Sequence, residues 1–151
     1  MKEIKLFNQP EVILVDDEDY QKLSSYNWKL VNRAVRSTSL VPISITWIIK
    51  SKPQKGYIWD HTDRNILNNQ KENLRLATYS ENAANRKKFT GFSKYKGVRK
   101  SQYNPNLFDA VLNADGYRYG KYGFKTQEEA ALEYNRMAER HFGEFAVLNE
   151  I

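Results

Sequence analysis

The apolar residues of this chain are confined to short runs, and the longest mostly apolar run covers only residues 40–49. It is interrupted by Pro42 and Ser44 and is too short to span a bilayer. Polar turn residues separate the runs, a pattern that favours short strands and helices. The 151 residues therefore predict an α+β protein of one ordinary domain or two small ones.

The positive charge of the chain is concentrated in one segment. The formal net charge is +6, and residues 87–124 alone hold eight Lys and Arg against two acidic residues. Residues 125–151 are net acidic. A basic segment of this kind favours an anionic partner, and nucleic acid is the commonest one. The bland alternative is an ordinary solvated face.

The chain contains no cysteine, which excludes disulfides and zinc sites built on thiolates. Residues 1–5 lack the apolar core of a signal peptide. Both features are typical of a cytoplasmic protein that has no membrane partner.

The first third of the chain predicts short strands around one helix. Residues 11–15 and 28–31 are rich in β-branched and apolar side chains, which indicates strands. Residues 41–49 alternate between apolar and polar, which predicts a further strand. Between the first two strands, either Asp16 or Asp17 can cap a short helix that continues through Tyr26.

Residues 57–88 predict a strand, a loop, a strand and a helix in that order. The two strands cover residues 57–59 and 74–77 and are joined by a polar loop. Residues 78–81 form a capping box that opens a helix through Arg86.

Residues 89–94 include Gly91 and predict a linker. The predicted domains are therefore residues 1–88 and residues 95–151.

The last third predicts three strands and one helix. The strands cover residues 95–100, 107–113 and 117–124, and a capping box at residues 126–129 opens a helix that ends near His141. Acidic residues lie on this helix and basic residues on the strands, so the sheet is a candidate surface for reading a DNA groove. Its basic residues are Arg99, Lys100, Arg118 and Lys121.

Four polar residues between positions 60 and 82 have the chemistry of a phosphodiester-cleaving site. Asp60 offers a carboxylate oxygen and Asn82 an amide oxygen, and both suit a hard cation such as Mg²⁺. His61 offers a base that titrates near neutral pH. Asn73 either positions the loop or orients the imidazole, and the sequence leaves both roles open. Adjacent strand residues face opposite ways, so the acid and the imidazole must lie at a strand end or a distortion to share a site.

These residues resemble the site of the HNH endonucleases, in the variant whose last residue is Asn. The intervals from His61 to Asn73 and to Asn82 resemble those of phage-type HNH homing endonucleases. The flanking residues match as well: Asn68-Asn69, Asn73-Leu74-Arg75-Leu76-Ala77-Thr78, Glu81-Asn82 and Asn85-Arg86.

The tail resembles an AP2 DNA-binding domain. The residues that carry the likeness are Tyr95-Lys96-Gly97-Val98, Gly123-Phe124, Glu129-Ala130-Ala131, Tyr134-Asn135 and Phe142-Gly143-Glu144-Phe145-Ala146. The chain departs from the AP2 pattern on the second strand, where Phe108 and Asp109 replace a Trp and a basic residue. The opening residues Val15-Asp16-Asp17-Glu18-Asp19-Tyr20 also resemble the start of HNH endonucleases that carry a C-terminal AP2 domain, and with them the resemblance covers nearly the whole chain.

The combined resemblance implies a fold and a reaction. The fold is a strand-rich N-terminal region that leads into a ββα-metal core at about residues 57–88, followed by an AP2-like three-stranded antiparallel sheet packed on one helix. The reaction is metal-dependent cleavage of DNA of the HNH homing type, with one Mg²⁺ or Mn²⁺ ion. The implied catalytic residues are His61 and Asn73, and the implied metal ligands are Asp60 and Asn82.

The implied partner is double-stranded DNA, bound by a monomer or a homodimer in the cytoplasm of a bacterial or phage-infected cell. Besides the four basic residues of the sheet, the candidate phosphate contacts are Arg64, Arg75 and Arg86. Two other functions stay open from the sequence: a non-catalytic AP2-type DNA-binding or regulatory protein, and an inhibitor that binds a host nuclease.

Overall fold

The computed structural model describes residues 1–87 and 91–151, and the chain divides into two compact units, Met1–Thr78 and Tyr79–Ile151. Both units combine helices with small antiparallel sheets, so the predicted α+β class is confirmed. The sequence places a domain boundary after residue 88 and a linker at residues 89–94; residues 88–90 lie outside the described residues. Among the helices of the described ranges, none is long and apolar enough to cross a membrane.

The first unit, which is described throughout, is built from antiparallel strand pairs and two short helices. The strands are β1 (Lys2–Lys5) paired with β2 (Val12–Val15), β3 (Trp28–Val31) with β4 (Ala34–Ser37), and β5 (Tyr57–His61) with β6 (Leu74–Thr78). The helices are α1 (Asp17–Leu23) and α2 (Ile45–Lys50). A 3-10 turn, Lys71–Asn73, precedes β6.

The core of the first unit is apolar and centres on Trp28. This side chain is fully buried together with Ile13, Val15, Leu23 and Ile45. Its indole N–H donates to the Leu23 carbonyl oxygen at 2.8 Å, so the one polar group of the ring is satisfied. The core thus joins β2, α1, β3 and α2 into one support.

The strand predicted at residues 41–49 is wrong, because Ile45–Lys50 forms helix α2. Val41 is 75% exposed and Ile45 only 1%, so the alternating apolar residues do not share one face. Ile45, Ile48 and Ile49 pack on the core instead, at the i, i+3, i+4 spacing of a helix.

The predicted helix after Asp16 is confirmed but ends at Leu23 rather than Tyr26. Asp16 occupies the N-cap position without making a side-chain cap bond. Its carboxylate instead accepts hydrogen bonds from the Lys71 backbone N–H at 2.8 Å and from Gln70 Nε2 at 3.2 Å. The aspartate therefore fastens the segment that leads into Asn73.

The second unit consists of a short helix, a three-stranded sheet and a long helix. Its elements are α3 (Tyr79–Ala84), β7 (Val98–Lys100), β8 (Phe108–Ala114), β9 (Tyr117–Phe124) and α4 (Gln127–Phe142). The sheet is antiparallel in the order β7-β8-β9, as three consecutive strands predict. Helix α3 ends two residues before the predicted Arg86.

Helix α4 covers one face of this sheet. Alanines line the contact on both sides, with Ala110 on β8 and Ala130 on α4 completely buried. Gly97 adopts φ +74°, and any side chain there would overlap the Tyr134 ring on α4. Glycine at this position therefore lets the chain before β7 lie directly against the helix.

Local chemistry sets the bounds of β9 and α4 as predicted. The capping box of α4 is complete, since Glu129 N–H donates to Thr126 Oγ1 at 3.1 Å and Thr126 N–H to the Glu129 carboxylate at 3.3 Å. Asp115 and Gly116 both have positive φ, as a tight two-residue hairpin turn requires.

Candidate active site

Asp60 and His61 are the last two residues of β5, at the point where the strand passes into the polar loop. The β5–β6 register pairs Asp60 with Arg75 and His61 with Leu74. The expected position at a strand end is thus confirmed. Each of the two side chains has a hydrogen-bond partner of its own, Arg75 for Asp60 and Asn69 for His61.

Asp60 is a buried carboxylate held by an arginine. Its residue is 5% exposed, and Oδ2 accepts a hydrogen bond from Arg75 Nε at 3.1 Å. The Arg75 side chain is itself only 15% exposed. A buried carboxylate is costly for the fold unless it has such a partner. Arg75, predicted from the sequence as a phosphate contact, is thus also a partner of the candidate metal ligand.

Replacement of Arg75 by methionine should lower the free energy of unfolding by about 3 kcal/mol, because it leaves a charge buried without its cation. Urea unfolding measures the loss. The matched control is Arg136→Met, since Arg136 bonds Glu133 at the same 3.1 Å but is 74% exposed, and it should cost under about 1 kcal/mol. Equal losses in the two variants would contradict a buried, structurally required pair.

His61 is held by an amide of the loop. Nε2 lies 3.2 Å from Oδ1 of Asn69. Burial lowers the pKa of His61 below its ordinary 6.5, and it outweighs the hydrogen bond to Asn69 and the charges of Asp63 and Asp60, which act in the opposite direction. The imidazole is therefore mostly neutral at pH 7, the form that can accept a proton.

Asn73 binds the loop through its whole amide. Nδ2 donates to Asp63 Oδ1 at 2.9 Å and to the Asn68 carbonyl oxygen at 2.7 Å, while Oδ1 accepts from the Asp63 backbone N–H at 3.0 Å. Of the two roles that the sequence leaves open for Asn73, these contacts favour positioning of the loop.

Two residues of the site were missed by sequence reasoning, and the first of them is Asp63. Asp63 accepts from Asn65 N–H at 2.7 Å, Asn68 Nδ2 at 2.8 Å and Asn73 Nδ2. Burial acts to raise the pKa of Asp63, but these hydrogen bonds prevail and lower it. The second is Asn69, the partner of the imidazole. The sequence did offer one local signal for Asp63: an Asp side chain in a loop commonly accepts a hydrogen bond from the backbone N–H two residues later.

The remaining predicted site residues lie on other elements. Asn82 belongs to α3 in the second unit, and Arg86 is exposed just beyond that helix. Arg64 is exposed in the loop, where its backbone N–H donates to the His61 carbonyl oxygen at 2.9 Å.

The four basic residues of the sheet do not share one face. Opposite residues in an antiparallel sheet point the same way, and Lys121 lies opposite Ala110, which is buried under α4. Lys121 accordingly lines a cleft with residues of α4. Arg118 lies opposite the exposed Asn113, on the outer face. By the same register, Arg99 points outward and Lys100 toward the helix side.

Arg99 is already engaged on this outer face. Its Nη2 lies 3.3 Å from Oδ2 of Asp109, and Asp109 has no exposed surface. The Asp109 that departs from the AP2 pattern is therefore the buried counterion of Arg99. Its other oxygen accepts from the Gly123 N–H at 3.4 Å.

The oxygen donors of the site suit a hard cation held by few protein ligands. Within residues 1–87 and 91–151 no three His, Cys, Asp or Glu side chains form a group that could hold a metal. The Asp60 carboxylate is one such donor, and a Mg²⁺ ion held by few protein ligands usually keeps several waters. A carboxylate offers about four lone-pair sites, so Arg75 on Asp60 Oδ2 is compatible with a second cation there.

Asp60 and His61 lie at the end of one strand, and a polar loop holds the imidazole. An acid and a histidine base in such a position are typical of a hydrolase. Comparison with known proteins gives the same class. Residues 52–84, which include β5, the loop, β6 and α3, match the model of the HNH endonuclease family. The chain is 38% identical over 135 residues to a protein of Acanthamoeba polyphaga mimivirus named "Uncharacterized HNH endonuclease L560", covering 85% of this chain and 70% of that protein.

The chain belongs to the HNH endonuclease family, and its activity class is that of a DNA endonuclease. No solved structure matches it.

Proposed function

We propose that the protein is a metal-dependent DNA endonuclease of the HNH homing type, in which His61 is the general base and Asp60 and Asn82 hold one Mg²⁺ or Mn²⁺ ion. The observation that carries the proposal is the place of His61: its partly buried imidazole lies at the end of β5, is held by the Asn69 amide at 3.2 Å and follows the buried Asp60 in the strand, and burial lowers its pKa. A base of this kind has no need to lose a proton before it acts at neutral pH.

The chain's own residues divide the work of hydrolysis. His61 accepts the proton of the attacking water, and Asn73 keeps the loop in place during the transfer. Arg75 fixes the direction of the Asp60 carboxylate. The divalent ion, when bound, supplies positive charge against the phosphate and the leaving oxygen.

In the proposed site the two metal ligands are Asp60 and Asn82, as in the variant of the HNH site whose last residue is an amide. A site with one carboxylate carries less negative charge than one with several, so it competes weakly for the ion until a DNA phosphate adds its own oxygen. We infer that metal and DNA bind cooperatively. The Mn²⁺ concentration that half-saturates cleavage should consequently fall as the DNA concentration rises.

The second unit supplies affinity for DNA in this proposal, as an AP2-like sheet packed on one helix. Its outer face carries Arg118 and the Arg99–Asp109 pair, together with the exposed Tyr122 ring. Cations next to an aromatic surface are common where proteins grip nucleic acid. A DNA-binding protein that does not cleave is the second candidate, and the basic outer face is the observation that favours it.

A plasmid nicking assay separates the two candidates. The purified protein is incubated with supercoiled plasmid in Mg²⁺, in Mn²⁺ and in EDTA. We expect open-circular product with either metal and none in EDTA, and linear product if two copies act on opposite strands. DNA binding without any cleavage across metals and target sequences would favour the non-catalytic candidate.

The pH dependence of cleavage should reflect the lowered pKa of His61. Since the base acts in its neutral form, the rate should be flat between pH 7 and pH 8 and should fall only below 6.5, the ordinary histidine pKa. Initial rates in the nicking assay, measured from pH 5 to pH 8 at saturating metal, test this. An acid limb centred above pH 6.5 would contradict a buried neutral base.

The same pKa shift predicts a loss of stability in acid. Because the folded state has the lower pKa, the unfolded state takes up the proton first as the pH falls through 6.5. The contribution of His61 is thus complete above 6.5 and declines as the pH falls toward the folded pKa.

DNA affinity should depend on salt concentration. Only basic side chains on the outer face of the sheet should contribute to that dependence. Each neutralised phosphate contributes about 0.9 to the slope of log affinity against log salt. Arg118→Ala should reduce that slope by about one. Lys121→Ala, on the same strand but facing α4, should leave it unchanged. Gel shifts at several salt concentrations measure both slopes, and equal effects would argue against an outer-face interface.

A further inference from the structure

We propose that Asn69 is a positioning residue, which sets the orientation and the tautomer of the His61 imidazole, and that strand β2 holds Asn69 in place. The inference rests on the proposed function, because it assigns to Asn69 the alignment of the proposed base. It adds a residue and a supporting strand to that site.

The orientation of the Asn69 amide follows from its own contacts. Nδ2 donates to the Ile66 carbonyl oxygen at 3.1 Å, so the amide oxygen is the atom directed at His61 Nε2, 3.2 Å away. An amide oxygen only accepts hydrogen bonds. His61 must therefore carry its ring proton on Nε2, and the lone pair that accepts a proton lies on Nδ1.

Asn69 has little freedom to leave this position. The residue is 1% exposed, and its backbone N–H donates to the Leu14 carbonyl oxygen at 2.8 Å. Leu14 in turn donates its own N–H to the Leu67 carbonyl oxygen at 2.8 Å, and Leu14 and Asn68 form a parallel bridge. The loop thus adds to the edge of β2.

The support reaches beyond the segment that matches the family model. Strand β2 precedes residue 52, where that match begins. On either side of Leu14, Ile13 and Val15 are fully buried in the Trp28 core. A rigid core therefore fixes β2, β2 fixes Asn69, and Asn69 fixes the ring.

A second asparagine of the loop offers a matched control. Asn65 also uses its side-chain oxygen within the loop, where Oδ1 accepts from the Leu67 N–H at 3.1 Å. Asn65→Ala therefore removes one amide and one hydrogen bond from the same loop while leaving the imidazole contact. Asn69 is buried and Asn65 is exposed, so Asn69→Ala should cost more stability whatever its role, and only the ring signal and kcat of the folded variants report on positioning of His61.

The test is nitrogen NMR of the histidine rings at pH 8, with kcat and KM for plasmid nicking measured on the same samples. The chain has two histidines, so a His141→Gln variant assigns both rings. In the native protein we expect the His61 proton on Nε2 and slow to exchange. In Asn69→Ala that slow exchange should be lost, and kcat should fall about 10- to 100-fold with KM unchanged. Asn65→Ala should keep the native ring signal and kcat.

Two results would overturn the proposal: a native His61 protonated on Nδ1, or a native ring signal and kcat in Asn69→Ala. If Asn69→Ala does not fold, Asn69→Asp keeps an acceptor oxygen and should preserve the Nε2 proton. The ring spectrum is independent of cleavage. If His61→Ala still cuts DNA, the proposed function fails while the tautomer result stands. If His61 carries its proton on Nδ1 and His61→Ala no longer cuts DNA, only the positioning role of Asn69 is refuted.

Discussion

Replacement of His61 by alanine should lower the rate of DNA cleavage by about 10²- to 10⁴-fold, the usual contribution of a positioned general base. DNA affinity should stay within about twofold of native, because the basic residues that grip phosphate are unchanged. Single-turnover nicking with excess protein measures the rate, and a gel shift in Ca²⁺ or EDTA measures affinity separately.

The matched control is His141→Ala. His141 is the other histidine, lies in the last turn of α4, and packs its ring 4.1 Å from the Tyr119 ring. This variant removes an imidazole of the same chemistry from a position in the second unit, and its cleavage rate should be close to native. Native-like cleavage by His61→Ala would mean that another group takes the proton.

Replacement of Asp60 by asparagine should also abolish most cleavage, and it should change the dependence on metal. Partners that only orient metal ligands cost about 10- to 100-fold when they are lost, so loss of a ligand should cost at least about 100-fold. The amide keeps the shape of the carboxylate and gives up its charge. The Mn²⁺ concentration needed for half-maximal cleavage should therefore rise, and a Mn²⁺ titration of the nicking rate measures it.

Asp109→Asn is the matched control for this prediction, because Asp109 is also a buried carboxylate paired with an arginine. Both variants leave an arginine without its counterion, so both should lose stability in urea unfolding. Only Asp60→Asn should shift the metal midpoint. A shift of the same size in Asp109→Asn would point to a general loss of folding instead of a lost ligand.

The parts of the fold that sequence predicts correctly are those set by local chemistry. The α4 cap, the Asp115-Gly116 turn and the strands on either side of it each follow from residues within a few positions of one another. Helix α2 was predicted as a strand because its apolar residues fit both a two-residue and a helical period over a short segment. Burial against the Trp28 core decides between the two periods, and that contact is not local.

In the candidate site, too, local features were predictable from the sequence and long-range contacts were not. Asp60 and His61 could be placed at a strand end from sequence alone, since a β-rich run ends there and a polar loop follows. The partners of these two side chains could not be predicted. Arg75 reaches Asp60 only through the register of β5 and β6, and Asn69 reaches His61 only because β2 draws the loop against its edge.

Asp16 stands at the position that the sequence predicts but bonds a different partner. An aspartate before a helical segment predicts an N-cap, and the residue does stand at that position. Its carboxylate nevertheless bonds Gln70 and the Lys71 backbone, far along the chain. A side chain that can satisfy either a local or a distant donor goes to the one that the tertiary fold brings near.

Chemical rescue of a His61→Gly variant tests the central claim most directly. The glycine variant opens a space where the ring stood, and free imidazole added to the nicking assay can enter it and accept the proton. The account predicts that His61→Gly is nearly inactive alone and regains cleavage as imidazole is added, whereas Asp60→Asn gains nothing. His61→Gly that cuts DNA at the native rate without imidazole would contradict the account.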